Sequence, residues 1–89
     1  METDLVRENI KKRLNRIEGQ VRGIQRMIDN DESCDNILIQ IAAVRAAINK
    51  VGGMVLQNYA HSCIKNKINK DEYEKSVDDL IETIIKYTK

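Results

Sequence analysis

The stretch from Ser33 to about Lys65 contains no proline and no strand-like alternation, and a cysteine stands near each of its ends. It reads as one continuous helix with an N-cap at Ser33, just before Cys34 and Asp35. Cys34 and Cys63 are 29 positions apart. At a rise of ~1.5 Å per residue they are separated by roughly 43 Å. They cannot meet within one chain unless the helix folds back. They can meet if two copies pair antiparallel, with the axis between Ile48 and Asn49. The spacing therefore predicts a homo-oligomer with two equivalent dithiol sites across the subunit interface. Ile37, Ile41, Val44, Ile48, Val51, Val55 and Leu56 mark an apolar seam, kept narrow by Ala42, Ala43, Ala46 and Ala47. A helix of about 45–50 Å is too long for a monomeric globule of this size to bury. Gly52-Gly53 offers a bend, or room for a crossing helix. A break is disfavoured because no Pro, Ser or Asp accompanies the pair.

Two shorter helices flank this one. Ile10, Leu14, Ile17, Val21, Ile24 and Ile28 are spaced alternately four and three apart, a seam on one helix face. Thr3 or Asp4 caps the start, and Asp29-Asn30-Asp31 forms the turn that ends it. Gly19 and Gly23 share a face where another backbone could approach. A third helix begins at Asn69, with Glu72 as capping-box partner and Tyr73, Val77, Leu80, Ile81 and Ile84 as its apolar face. The fold class is all-α, a three-helix protomer forming a single domain over residues 1–89.

Composition agrees with this reading. Pro and Phe are absent and only 4 Gly occur. A domain this small buries only ~60–65% of its unfolded surface, so self-association helps it. No stretch is expected to span a membrane and no signal-peptide core opens the chain, so the expected location is cytoplasmic. There, paired cysteines are metal ligands, redox groups or buried apolar residues more often than a permanent disulfide. Net charge is only +1, yet residues 5–27 carry seven bases against two acids. The first helix thus bears a basic stripe, read either as a solvated face or as a nucleic-acid footprint.

Catalysis finds little to work with. There is one His and no phosphate loop, HExxH, GxSxG or CxxC motif. His61 and Cys63 lie ~200° apart around a helix and form no dyad. Tyr59, four before Cys63, shares its face, but Tyr is a poor ligand for the metals that thiolates select. Two sulfurs without a third ligand suit two-coordinate Cu(I) or sulfur chemistry better than zinc, which needs four ligands. At the helix N-terminus, free N–H groups favour anionic sulfur on Cys34, with Asp31, Glu32 and Asp35 opposing. Cys63 approaches a helix end. This asymmetry fits an attacking and a resolving thiol. Alternatively both cysteines are small buried apolar residues.

The segment RLNRIEGQVRGIQRMI at 13–28, with Cys34 and Cys63 at their separation, resembles the copper-sensitive operon repressor (CsoR/RcnR) family of bacterial transcriptional repressors. The resemblance covers essentially the whole chain. It implies an antiparallel helical dimer, a flat dimer-of-dimers tetramer, operator double-stranded DNA as partner, and release by an inducer at the interfacial cysteines. Copper sensors of the family place a His four before the second Cys, where this chain has Tyr59. Two cysteines without that His resemble the persulfide-sensing sulfurtransferase-repressor (CstR) branch. Expectation therefore favours reactive sulfur species as inducer at Cys34 and Cys63, with no cofactor. Cu(I) at the same residues is the alternative, and a helical interaction module with incidental cysteines is the rival of another class. Lys12, Arg13, Arg16, Arg22, Arg26, Arg45 and Lys50 are the candidate phosphate contacts, and no enzymatic activity is expected.

Overall fold

Apolar residues at alternating three- and four-residue spacing build α1, Asp4–Asp29, and its seam turns Ile10 and Ile17 inward. The computed structural model describes residues 4–65 and 70–88, and over 62–65 its backbone only. The turn after α1 is a Schellman motif. Asp31 takes a left-handed φ of 55°. The Glu32 N–H donates to the Met27 carbonyl at 3.0 Å, and the Asp31 N–H to that of Ile28 at 3.1 Å. Ser33 then caps α2, Cys34–Lys65, its Oγ accepting from the Asn36 N–H at 3.4 Å. α2 runs unbroken through Gly52-Gly53, which excludes the split into two helices. Asn69, expected to start the last helix, lies outside the described residues, and α3 spans Lys70–Thr88.

The short turn makes α1 and α2 an antiparallel hairpin. Ile10, Ile17 and Val51 are buried between them, with Val6, Val44, Ala47 and Met54 packed around. Leu14, Val21 and Ile28 remain exposed, because α2 covers only one flank of the α1 seam. α3 packs on α2 and makes no comparable contact with α1. None of its residues is buried, although Val77, Leu80 and Ile84 are half-covered.

The result is a slab of 58 × 29 × 13 Å with a radius of gyration of 17.7 Å. A globule of this length has a radius near 12 Å, estimated as ~2.2·N^0.38. A thickness of 13 Å is little more than one helix diameter of about 10–12 Å. One expectation needs correction: over Cys34–His61, α2 is long and apolar enough, by length and composition, to cross a membrane. The small alanines and long aliphatic residues that make a narrow pairing helix raise its hydropathy in the same way. Arg45 and Lys50 stand near its middle.

Candidate functional site

At ~100° per residue, 29 positions is eight turns plus about 20°, so Cys34 and Cys63 lie on one side of α2 at opposite ends. Cys34 is the first residue of the helix and its free thiol is exposed. Cys63 lies in the last turns, and its side chain is outside the described residues. Between them on the same side are Ile41, Ile48 and Val55, all exposed. α1 occupies the other flank, at Val44, Ala47, Val51 and Met54. The cysteine side is thus open over the first half of α2, at Cys34, Leu38, Ile41 and Ile48, whereas at Gly52, about five turns on from Cys34, Tyr87 of α3 lies across it. Within one chain the helix keeps the two cysteine positions at opposite ends.

Tyr59 is half-buried on the cysteine side, and His61, ~200° from Cys63, is exposed. Among the described residues no group of three or more His, Cys, Asp or Glu could hold a metal.

On α1, Lys12, Arg16, Arg22 and Arg26 fall within a sector of about 120° opposite Ile10 and Ile17, counting ~100° per residue. Two of the expected phosphate contacts are already engaged. Arg22 forms an ion pair with Glu18 at 2.9 Å, and Arg13, on the flank toward the core, donates to Asn9 Oδ1 at 3.2 Å. Arg45 and Lys50 lie ~140° apart around α2 and do not share a face. Arg45 is on the cysteine side, about 20° around α2 from Cys34, and Lys50 is not.

Sequence reasoning missed a groove between α2 and α3. Gly52, Val55, Leu56, Tyr59, Thr83 and Tyr87 line about 260 Å³ of apolar space. The Tyr87 ring occupies the place a Gly52 side chain would take, and its hydroxyl donates to the Asn49 carbonyl at 3.3 Å. Gly52 thus admits the neighbouring helix, whereas a Cβ at Gly19 or Gly53 would meet nothing within 4 Å. Gln20 Oε1, also unremarked in the sequence, is enclosed without a hydrogen-bond partner.

The described residues thus form an all-helical slab with an exposed thiol at the start of α2 and a basic outer face on α1. Residues 6–86 match the family of metal-sensitive transcriptional repressors, and this chain belongs to that family. It is 43% identical over 83 residues to the copper-sensing transcriptional repressor CsoR of Bacillus subtilis (strain 168), covering 93% of this chain and 82% of that protein. The crystal structure of the copper-sensing repressor CsoR with Cu(I) from Geobacillus thermodenitrificans NG80-2 is similar at a TM-score of 0.88 and 40% identity, covering 100% of this chain and 93% of that one. The nickel-responsive transcriptional regulator InrS is similar at a TM-score of 0.80 and 31% identity, with 90% of each chain covered. The family-level resemblance holds. The persulfide-sensing branch finds no support among these relatives, two of which are copper sensors.

Proposed function

We propose that this chain is a cytoplasmic Cu(I)-responsive repressor, an antiparallel dimer paired into a tetramer, which leaves its operator when Cys34 of one subunit and Cys63 of another take up the ion. The observation that carries this reading is the unbroken α2, whose two ends present the cysteines on one side in a register that a second copy satisfies. Similarity to two copper-sensing repressors supports the choice of ion. The donor set fits: thiolates are soft ligands that select Cu(I), and this ion accepts two of them. When bound, Cu(I) supplies a soft Lewis-acid link between subunits. The chain's own part is to present one cysteine sulfur from each of two subunits, the thiol protons passing to solvent, and to hold the two α2 helices in one mutual geometry.

At the other end, Lys12, Arg16, Arg22 and Arg26 contact phosphates, with Arg13 and Lys50 beside them, whereas Arg45 falls inside the proposed pairing and drops out of the set. With no recognition helix offered, shape readout carries much of the specificity. A useful switch needs a coupling of ~1–3 kcal/mol between inducer and DNA. The test is a Cu(I) titration against a competing chelator, beside fluorescence anisotropy on a duplex the protein selects from a random pool. One Cu(I) per chain and loss of DNA binding are expected, and both responses should vanish in Cys34→Ser. Release of DNA by Cu(I) in that variant would overturn the reading.

Tyr59 favours a second reading, because it stands where a third nitrogen ligand is wanted. Here Cys34 thiolate attacks the outer sulfur of a low-molecular-weight persulfide, RSSH, displacing RS⁻ and becoming Cys34–S–SH. The partner's Cys63 thiolate then attacks the inner sulfur, forming a disulfide and releasing HS⁻. Intact mass after exposure to a persulfide donor separates the readings: a covalent dimer lighter than two persulfidated chains supports sulfur sensing.

A further inference from the structure

We infer that Gly19 is the floor of the DNA-binding face: its bare backbone lets one sugar–phosphate strand lie directly on α1, between four bases arranged symmetrically about it. The inference rests on the operator binding proposed above. The first observation is placement. Lys12 and Arg26 stand seven positions either side of Gly19, and Arg16 and Arg22 stand three either side. At ~1.5 Å and ~100° per residue, the outer pair lies ~10 Å from Gly19 along the helix and ~20° around it, the inner pair ~4.5 Å and ~60°. Within each pair the two offsets are equal and opposite. A strand crossing at Gly19 therefore has an arginine on each flank and a further cation ahead and behind.

The second observation is that the fold of the chain makes no use of this glycine. Gly19 lies ~180° around α1 from the buried Ile10. A Cβ there would meet nothing within 4 Å. At Gly23, one turn on, a Cβ would make only an ordinary contact, 3.8 Å from the Arg26 guanidinium. Neither glycine has a positive φ. Glycine weakens a helix interior relative to alanine, so both positions are unfavourable to the free chain. What a missing side chain supplies here is close approach from outside.

The third observation is charge, which selects the occupant. All four bases are exposed, and of the four only Arg22 is in an ion pair among the described residues. Its partner Glu18 is ~100° around the helix from Gly19. Glu8, the acid that shares this face, is about three turns away. A protein helix crossing at Gly19 would have to bring a carboxylate for each cation. A nucleic-acid strand brings a negative charge every ~3.4 Å of its axis. A side chain at residue 19 would hold that strand off the helix, and the inner pair, Arg16 and Arg22, would lose phosphates first.

The test compares Gly19→Ala, Gly19→Leu and Arg16→Ala in the full chain. Anisotropy is measured on the duplex selected from the random pool at several salt concentrations, beside denaturant midpoints and sedimentation equilibrium. Both Gly19 variants should raise the midpoint, because either residue favours a helix more than glycine does. Both should nonetheless bind DNA more weakly, Leu more than Ala. For Gly19→Leu the affinity should fall roughly tenfold, and the log–log salt slope should become shallower by about 1.8, two contacts at ~0.9 each. A more stable chain that binds DNA less well is an outcome that a purely structural glycine would not give. If Arg16→Ala weakens binding and both Gly19 variants bind as the native chain does, the inference is overturned and the DNA face stands. If none of the three changes binding, both are overturned. Weaker binding accompanied by a smaller oligomer would also overturn the inference, assigning Gly19 to a contact between protein helices.

Discussion

Arg16 and Arg22 share the outer face of α1, yet they present different charges to DNA. Arg22 is neutralised in part by Glu18 at 2.9 Å. An exposed pair of this kind is worth ~0–1 kcal/mol in stability. Arg16→Ala is expected to weaken operator binding and reduce the log–log salt slope by about 0.9. Glu18→Ala is expected to do the reverse, tightening binding and steepening the slope by freeing Arg22, with little change in melting. Anisotropy titrations at several salt concentrations check both. Unchanged slopes would move the DNA surface off α1. At the inducer end, Tyr59→His places nitrogen on the Cys63 side and should raise Cu(I) affinity by chelator competition, whereas His61→Ala should leave it unchanged. The basic face was legible from counting charges along residues 5–27. The engagement of Arg22 was legible too, as an i, i+4 spacing, but a count of charges ignores which of them are paired.

The two caps at the α1–α2 turn and the two glycines in α2 make the clearest stability tests. Asp31 holds a left-handed φ that suits glycine, so Asp31→Gly should stabilise by about 1 kcal/mol. Ser33→Ala removes a cap and should cost about 1 kcal/mol. Gly53→Ala should stabilise by ~0.5–1 kcal/mol through helix propensity. Gly52→Ala should destabilise despite the same propensity, because its methyl would displace Tyr87. Denaturant midpoints order the four variants, and equal effects at the two glycines would mean that α3 does not dock there. Spacing and caps made all three helices legible, to within a residue or two at the described ends. The difference between Gly52 and Gly53 was not. Neighbouring glycines look alike in a sequence, and only the arrival of Tyr87 from the end of α3 separates them. α3 itself announced an apolar face but nothing about which part of α2 it would cover.

Among the described residues of this slab three side chains are buried, Ile10, Ile17 and Val51, which is little core for a lone chain. Its melting temperature should rise with protein concentration, as it does whenever folding is linked to association. Light scattering should report a dimer or larger at micromolar concentration, and a monomer with a concentration-independent melt would defeat the pairing. That the helix is too long for one chain to cover was legible from its length, and the exposed Ile41 and Ile48 agree. Which side stayed open required knowing where α1 and α3 lie. The continuity of α2 has a further consequence. In the proposed antiparallel pair each helix would lend one cysteine to the site at one end and its other cysteine to the site at the far end, so two inducer sites would share one continuous helix. With no hinge at Gly52-Gly53, half the helix is ~24 Å long, and a swing of about 5° carries either tip some ~2 Å, the difference between a made and a broken hydrogen bond. The two ends of the proposed pair would then behave as a seesaw: filling one site would reset the gap at the other, and the inducer isotherm should depart from a Hill slope of one.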